Sequence, residues 1–309
     1  MHTPSISVVI PLYDKGPEIA AALRSVLAQT LPPAEIIVVD DGSTDDGPET
    51  VRRIGGESVR LLTQPNAGVS AARNRGVAAS RGEWIAFLDA DDRWAPDHLA
   101  EIASMIREFP GCGIYATAFR IVGRRSTRIA PAPAARGIVD DFFRDSAHRY
   151  IAIPSASAVP REVFDRAGGF PEGMKIGEDL YLWIEIARRC PVCFSPHPTV
   201  FYSKTASNRS AAIYTPERTE FSFERLYDPT APEAEREFIA RAALGKALVL
   251  SAKGGTEEAA RAIRTFSFTK TYRHTLRKVR LLNALPRGWR MPLLDAYNRL
   301  AWLLARKGL

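Results

Sequence analysis

The sequence predicts an α/β protein: a mostly parallel sheet flanked by helices, with a helical extension at its C-terminal side. Three observations predict it. Through the first half of the 309-residue chain, short β-branched apolar runs alternate with stretches of helical spacing, the pattern of strands joined by helical crossovers. A cluster rich in Asp, Asn and Gly follows each of the early apolar runs, and open parallel sheets bind ligands beyond the carboxyl ends of their strands. After about Thr215 the pattern is helical to the end.

The elements follow in order. Ile6–Pro11 is a continuous apolar run, as expected of a strand buried on both faces. Pro17–Leu27 has helical spacing and proline at its start. Glu35–Val39 is a second strand and runs into DDGSTDD. Pro48–Ile54 is a short helix, and Val59–Gln64 a third strand. Ser70–Ser80 is a helix of small residues, suited to close approach to a backbone or ligand. Glu83–Leu88 is a fourth strand and ends in Asp89-Ala90-Asp91-Asp92. Around Ala130–Gly137 the chain becomes loop-like; Ser155–Val163 and Gly168-Gly169-Phe170 then lead to GEDLYLWIEIARRC. That stretch reads as a helix from Gly177, with acidic Glu178 and Asp179 in the first turn. Pro191–Phe201 is the last strand. The division this gives is a ligand-binding α/β domain over 1–215 and a basic helical region over 216–309.

A hydrophobic fraction of 46% and a charged fraction of 25% suit a globular chain and exclude intrinsic disorder. Three cysteines make no disulfide framework and point to a reducing compartment. Cys190 and Cys193 form a C-x-x-C pair without the second pair of a zinc site, so they read as structural. No basic-then-apolar leader opens the chain and no run reaches the ~20 apolar residues of a membrane span. The expected location is cytoplasmic, or peripheral on the inner face of a membrane. Charge is uneven: Arg261–Leu309 holds twelve Lys and Arg against Asp295, so it carries +11 of a chain totalling +7, leaving −4 elsewhere.

Each rim cluster has an ordinary reading and a chemical one. Two carboxylates one residue apart, Asp89 and Asp91, suit a hard divalent cation that also binds phosphate oxygens, Mg²⁺ or Mn²⁺; an isolated D-x-D would be a solvated turn. Asp41, with Asp40, can accept the imide N–H of a base or a ribose hydroxyl, while Ser43, Thr44 or Asp45 can cap the next helix. Tyr13 can stack on a base. Arg73 can hold a nucleotide with its forked donors, or pair with Asp40 or Asp45. Glu178-Asp179 is either first-turn capping or a general base at a cleft wall.

Together, SVVIPLYDK (7–15), SVLAQT (25–30), EIIVVDDGSTD (35–45), NAGVSAARNRG (66–76), GEWIAFLDADD (82–92), GGF (168–170) and GEDLYLW (177–183) resemble glycosyltransferase family 2, with its GT-A fold, over about residues 5–205. The resemblance implies an inverting transferase that moves one sugar from a nucleoside-diphosphate donor, expected to be UDP-linked, to a hydroxyl of a glycan or lipid-linked acceptor in cell-envelope polysaccharide assembly. It implies Tyr13 and Asp41 at the base, with Pro11 beside them in the nucleotide site, Arg73 on the nucleotide and Asp89 on the ribose. It further implies Asp91 on the metal (Mg²⁺ or Mn²⁺), Asp179 as catalytic base, and Glu178, Trp183 and Asp92 in acceptor or supporting positions. No nucleic-acid partner is expected.

Three departures stand out. Asp14 occupies a position where Asn is common. Tyr202-Ser203-Lys204-Thr205 lacks the His of a Tyr-Arg-x-His pattern, so Lys204 or Arg209 would supply positive charge. No Gln-x-x-Arg-Trp occurs, Arg287-Gly288-Trp289-Arg290 being the nearest stretch, which favours single addition over processive synthesis. Two rival readings are a sugar nucleotidyltransferase, whose glycine-rich basic loop is missing after the first strand, and a catalytically inactive nucleotide-sugar-binding protein, against which Asp91 and Asp179 stand together. The basic tail, with Trp289, Leu293, Leu294, Leu300, Trp302, Leu303 and Leu304, suits a membrane interface, a contact with a second copy, or packing on the catalytic domain. All three stay open at the level of sequence.

Overall fold

The computed structural model describes residues 3–147, 149, 151–205 and 219–306, with side chains as far as 296. The chain divides into two compact units, Met1–Ile213 and Tyr214–Leu309.

The first unit opens with β1 (Ile6–Leu12), α1 (Gly16–Leu27), β2 (Glu35–Asp40), α2 (Gly47–Gly55), β3 (Val59–Thr63), α3 (Val69–Ala79) and β4 (Trp84–Phe87). There follow β5 (Arg93–Trp94), α4 (His98–Glu108), β6 (Ile114–Val122), β7 (Thr127–Ile129), β8 (Gly137–Ile138) and α5 (Phe142–Ser146). The unit closes with β9 (Ser157–Pro160), α6 (Arg161–Arg166), α7 (Glu178–Ala187) and β10 (Val192–Ser203).

The sheet runs β3-β2-β1-β4-β9-β6-β10-β5. Its β3-β2-β1-β4 half is parallel, and the parallel β10–β6 pair extends the other half. β9 lies between β4 and β6, antiparallel to both, so it brings its polar start back to the rim where β4 ends. The predicted α/β class holds, with this antiparallel insertion and α4 and β6 added between the last two strands read from the sequence.

Burial explains the strand runs. Every residue of β1 is buried, and Ile10 and Leu12 pack with Ile19, Leu23 and Val26 of α1. Each fully buried aliphatic side chain contributes about 1.5–3 kcal/mol. On the other face α3 sits close: a Cβ on Gly76 would come within 2.4 Å of Val9 Cγ1. The small-residue pattern of 70–80 therefore serves helix-on-sheet packing.

The regular elements of the second unit are all helices among its described residues: α8 (Phe223–Leu226), α9 (Glu233–Lys253), α10 (Thr256–Thr265), α11 (Arg273–Ala284) and α12 (Arg287–Arg306). Among the described residues no helix is long and apolar enough to cross a membrane.

Candidate active site

At the carboxyl ends of β1, β2 and β3 the strand-end loops lace together. Asp14, at φ +46°, accepts from the Thr44 amide at 2.7 Å, and Ser43 Oγ accepts from the Asp14 amide. Asp45 accepts from the amides of Gly16 and Gly47 at 2.6 and 2.9 Å. The cap residue of α2 is Asp46, which makes no side-chain cap bond, so the capping predicted for this loop comes from Asp45 reaching the first helical amide. Gly42 adopts φ +77°, and a Cβ there would meet Asn66 N at 2.9 Å. Asp41, buried, accepts from Gln64 Nε2, Ala67 N and Gly68 N at 2.7–2.8 Å. Three of the roughly four acceptor sites of a carboxylate thus shape the Asn66–Gly68 loop.

These loops wall a cavity of about 380 Å³. Pro11, Tyr13, Asp41, Arg73, Asp89, Asp91 and Glu178 all line it, with Lys15, Asn66, Met174, Lys175, Tyr202 and Ser203. Tyr13 stands on the rim at 39% exposure. Asp92, Asp179 and Trp183 are not among the lining residues: Asp92 and Trp183 are buried, and Asp179 is half-buried beside Glu178.

Arg73 ties the two sides. Its Nη2 donates to Asp89 Oδ1 at 2.7 Å and its Nη1 to Glu178 Oε1 at 3.1 Å, not to Asp40 or Asp45. The guanidinium lies 4.9 Å over the Phe170 ring, and Phe170 meets fully buried Trp183 edge-on at 6.2 Å. Trp183 therefore supports the floor under Arg73. Burial works against the Arg73 charge, but Asp89 and Glu178 raise its pKa above the ordinary value. Its Nε, buried, has no partner among the described residues.

Asn74, one residue along α3, accepts from the Phe170 amide and donates to the Phe170 carbonyl, both at 2.9 Å. Gly169 beside it has φ +73°, and a Cβ there would meet Asn74 Oδ1 at 2.9 Å. The GGF segment is thus the seat of the Arg73 clamp.

Asp91 is held differently. Lys15 Nζ donates to its Oδ2 at 2.9 Å, the two side chains being 12% and 19% exposed. Asp92 is buried and accepts from Ser155 Oγ at 2.5 Å and Ser203 N at 2.8 Å, fastening the DADD turn to β10. Burial first, then Asp89 and Asp91, push its pKa well above the usual carboxylate range. Burial, then the neighbouring Asp179, pushes Glu178 up to about 7, with Arg73 opposing. Burial also raises Asp179, against the pull of Arg73; its Oδ1 accepts from the Leu180 amide at 2.8 Å.

Among the described residues no three His, Cys, Asp or Glu side chains converge to hold a metal. Lys204 is absent from the cavity wall, its amide bonded to the Val122 carbonyl as β10 runs on; Arg209 lies outside the described residues. Cys193 is buried inside β10 and no cysteine is in a disulfide.

Lys15, Asn74 and Ser155 escaped the sequence reading as site residues. Lys15 and Asn74 sit inside the quoted motifs, beside residues singled out there. Ser155 carries no such mark, because its role depends on the antiparallel return of β9.

Glycosyl transferase family 2 matches residues 7–168, more than half of the chain. A Mycobacterium tuberculosis protein is 28% identical over 255 residues, covering 75% of this chain and 79% of its own. An uncharacterized glycosyltransferase of Rickettsia felis is 31% identical, covering 61% of this chain and 31% of its own. YibD, an uncharacterized glycosyltransferase of Escherichia coli, is 41% identical over 108 residues, 34% of this chain and 31% of its own. This chain thus spans about a third of the latter two relatives. Among solved structures, residues 1–349 of Staphylococcus aureus TarS superpose with a TM-score of 0.67 at 17% identity, covering 96% of this chain and 92% of that one. The mannosyltransferase PcManGT of Pyrobaculum calidifontis does so at 0.55 and 22%, covering 94% and 88%. By its family match, this protein is a glycosyltransferase of family 2.

Proposed function

We propose that this glycosyltransferase moves one sugar from a UDP-linked donor to a hydroxyl of a glycan or lipid-linked acceptor, with inversion and with Mg²⁺ or Mn²⁺ as cofactor, within the 1–215 domain. The observation that carries the reading is the Arg73 clamp. It joins the Asp89-Ala90-Asp91 strand end to the Glu178-Asp179 helix across one cavity, so donor-binding and proton-accepting groups share a single frame. TarS has been solved with UDP-GlcNAc and PcManGT with GDP-Man and Mn²⁺, which supports a nucleotide-sugar as the donor class here.

The donor set suits a hard divalent ion in one mode only. Asp91 offers a carboxylate oxygen at the cavity wall and would hold an ion of the kind that takes one or two carboxylates together with substrate phosphate oxygens and water. Bound there, the ion supplies Lewis-acid stabilisation of the departing diphosphate. Tyr13 stacks on the base, beside Pro11. Asp41 accepts the imide N–H with the capacity its loop bonds leave. Asp89, fixed by Arg73, accepts a ribose hydroxyl. Asp179 takes the acceptor's proton at Oδ2, since Oδ1 holds the Leu180 amide. Glu178 is the poorer candidate because Arg73 Nη1 already occupies its Oε1.

Titrating UDP with and without Mn²⁺ tests the reading. Asp91→Asn removes the metal-dependent increment and leaves metal-free binding in place. An increment unchanged in Asp91→Asn overturns the metal assignment. Thermal-shift screening of nucleotide-sugars with Mn²⁺ identifies the donor by the largest rise in Tm.

A further inference from the structure

The helical unit carries an unusual surface. Three of the seven exposed large hydrophobic side chains among the described residues lie within thirteen positions: Leu281 at 62%, Trp289 at 72% and Leu293 at 46% exposure. On α11 the inner face is fixed by buried Leu276, Val279 and Leu282. The helical period then puts Arg273, Arg277, Arg280 and Leu281 together on the opposite face, and all four are exposed. None of these three arginines is in an ion pair among the described residues, so their charge is uncompensated.

The corner into α12 is locked. Arg290, buried, donates to the carbonyls of Leu285, Ser251 and Asn283 at 2.8, 3.2 and 3.1 Å. With Arg290 held inward, Trp289 and Leu293, four residues apart on one helical face, are held outward. An indole kept in water by a rigid corner, and on the preceding helix a row of exposed guanidiniums without an ion pair among the described residues, are the two features that a bilayer interface rewards: an amphipathic aromatic and basic charge.

We propose that α11 and the start of α12 dock on an anionic lipid surface, with Trp289 and Leu293 entering the interface and Arg273, Arg277 and Arg280 facing the headgroups. Charge selects this occupant over a second copy of the chain: a two-fold contact through this face would set the same uncompensated arginines against each other, whereas acidic lipid headgroups neutralise them.

Flotation of the full-length protein with vesicles of phosphatidylcholine alone, or containing 30% phosphatidylglycerol, tests this. The expected result is binding to the anionic vesicles that weakens in high salt. Arg273→Gln, Arg277→Gln and Arg280→Gln together lower the partition roughly 100-fold, about fivefold per charge. Trp289→Ser with Leu293→Ser lowers it about tenfold or more. All five positions face solvent, and circular dichroism checks that the variants stay folded. Bromolipid quenching of fluorescence that disappears in Trp289→Phe places the indole in the bilayer. Equal binding to neutral and anionic vesicles, or no binding, overturns the proposal. So does a dimer in light scattering that Trp289→Ser dissolves, which would assign the face to a second copy.

Discussion

Asp89 and Asp91 stand two residues apart at the end of one strand, yet different cations hold them. Asp89 belongs to Arg73, which is 3% exposed, stacked on an aromatic ring and bonded on its far side to Glu178. Asp91 belongs to Lys15, a point charge on a flexible stem at the cavity wall. A planar guanidinium in a fixed seat makes a permanent joint, whereas an ammonium with rotatable donors can be exchanged for another cation. The difference separates the carboxylate that shapes the site from the one that is offered to a ligand.

Breaking the permanent joint should cost most. Arg73→Met leaves two carboxylates, 28% and 14% exposed, at the cavity wall without the buried cation between them. Removing one partner of such a buried pair destabilises by about 3–5 kcal/mol. Urea denaturation should show a fall of that size, and Arg73→Lys should recover part of it without restoring the fork. A loss below about 1 kcal/mol would mean that Arg73 is not the joint.

Next in size is the proposed proton acceptor. Asp179→Asn should leave UDP affinity intact and lower kcat by about 10²-fold or more, while Glu178→Gln should act mainly on stability. Burial raises the Asp179 pKa, so the base stays protonated to a higher pH than an ordinary carboxylate. The rate should therefore rise with pH along a limb displaced upward from the usual range. Arg73 holds that pKa down, so kcat/KM profiles of any Arg73→Lys variant that binds less tightly to this pair should shift the limb further up. An unshifted limb would remove Asp179 from the role.

The permanent half of the site was the less legible half. Asp89 and Asp91 are visible in the sequence because polar residues interrupt a strong apolar run at the end of β4, and Arg73 and Glu178 because they sit in the quoted helical motifs. Their pairing is not: Arg73 and Glu178 are 105 positions apart, and local spacing offers Asp40 and Asp45 as equally good partners. The fold was legible wherever strand and helix alternate, through β4. It was less so from Asp92 to Pro160, where α4, the apolar β6 and antiparallel β9 follow no simple alternation. Nine buried or half-buried residues in Ile114–Val122 carry a strand signal of their own, but its place in the sheet comes from pairing with β9 and β10.

The smallest expected effect falls on the exchangeable half, and it is the most discriminating. An ion entering at Asp91 must displace Lys15, whose partly buried pair is worth up to about 1 kcal/mol. Lys15→Met removes that competitor, so Mn²⁺ binding to the nucleotide-free protein, followed by electron paramagnetic resonance, should tighten by up to about fivefold. The same substitution takes an ammonium from the wall proposed to receive the diphosphate, so metal-free UDP binding, measured by calorimetry, should weaken by a similar factor. Opposite signs are the signature of a cation that guards Asp91 and then passes to the phosphates. If both affinities fall together, Lys15 instead holds the Asp91 carboxylate in position, and both halves of the strand end are permanent joints.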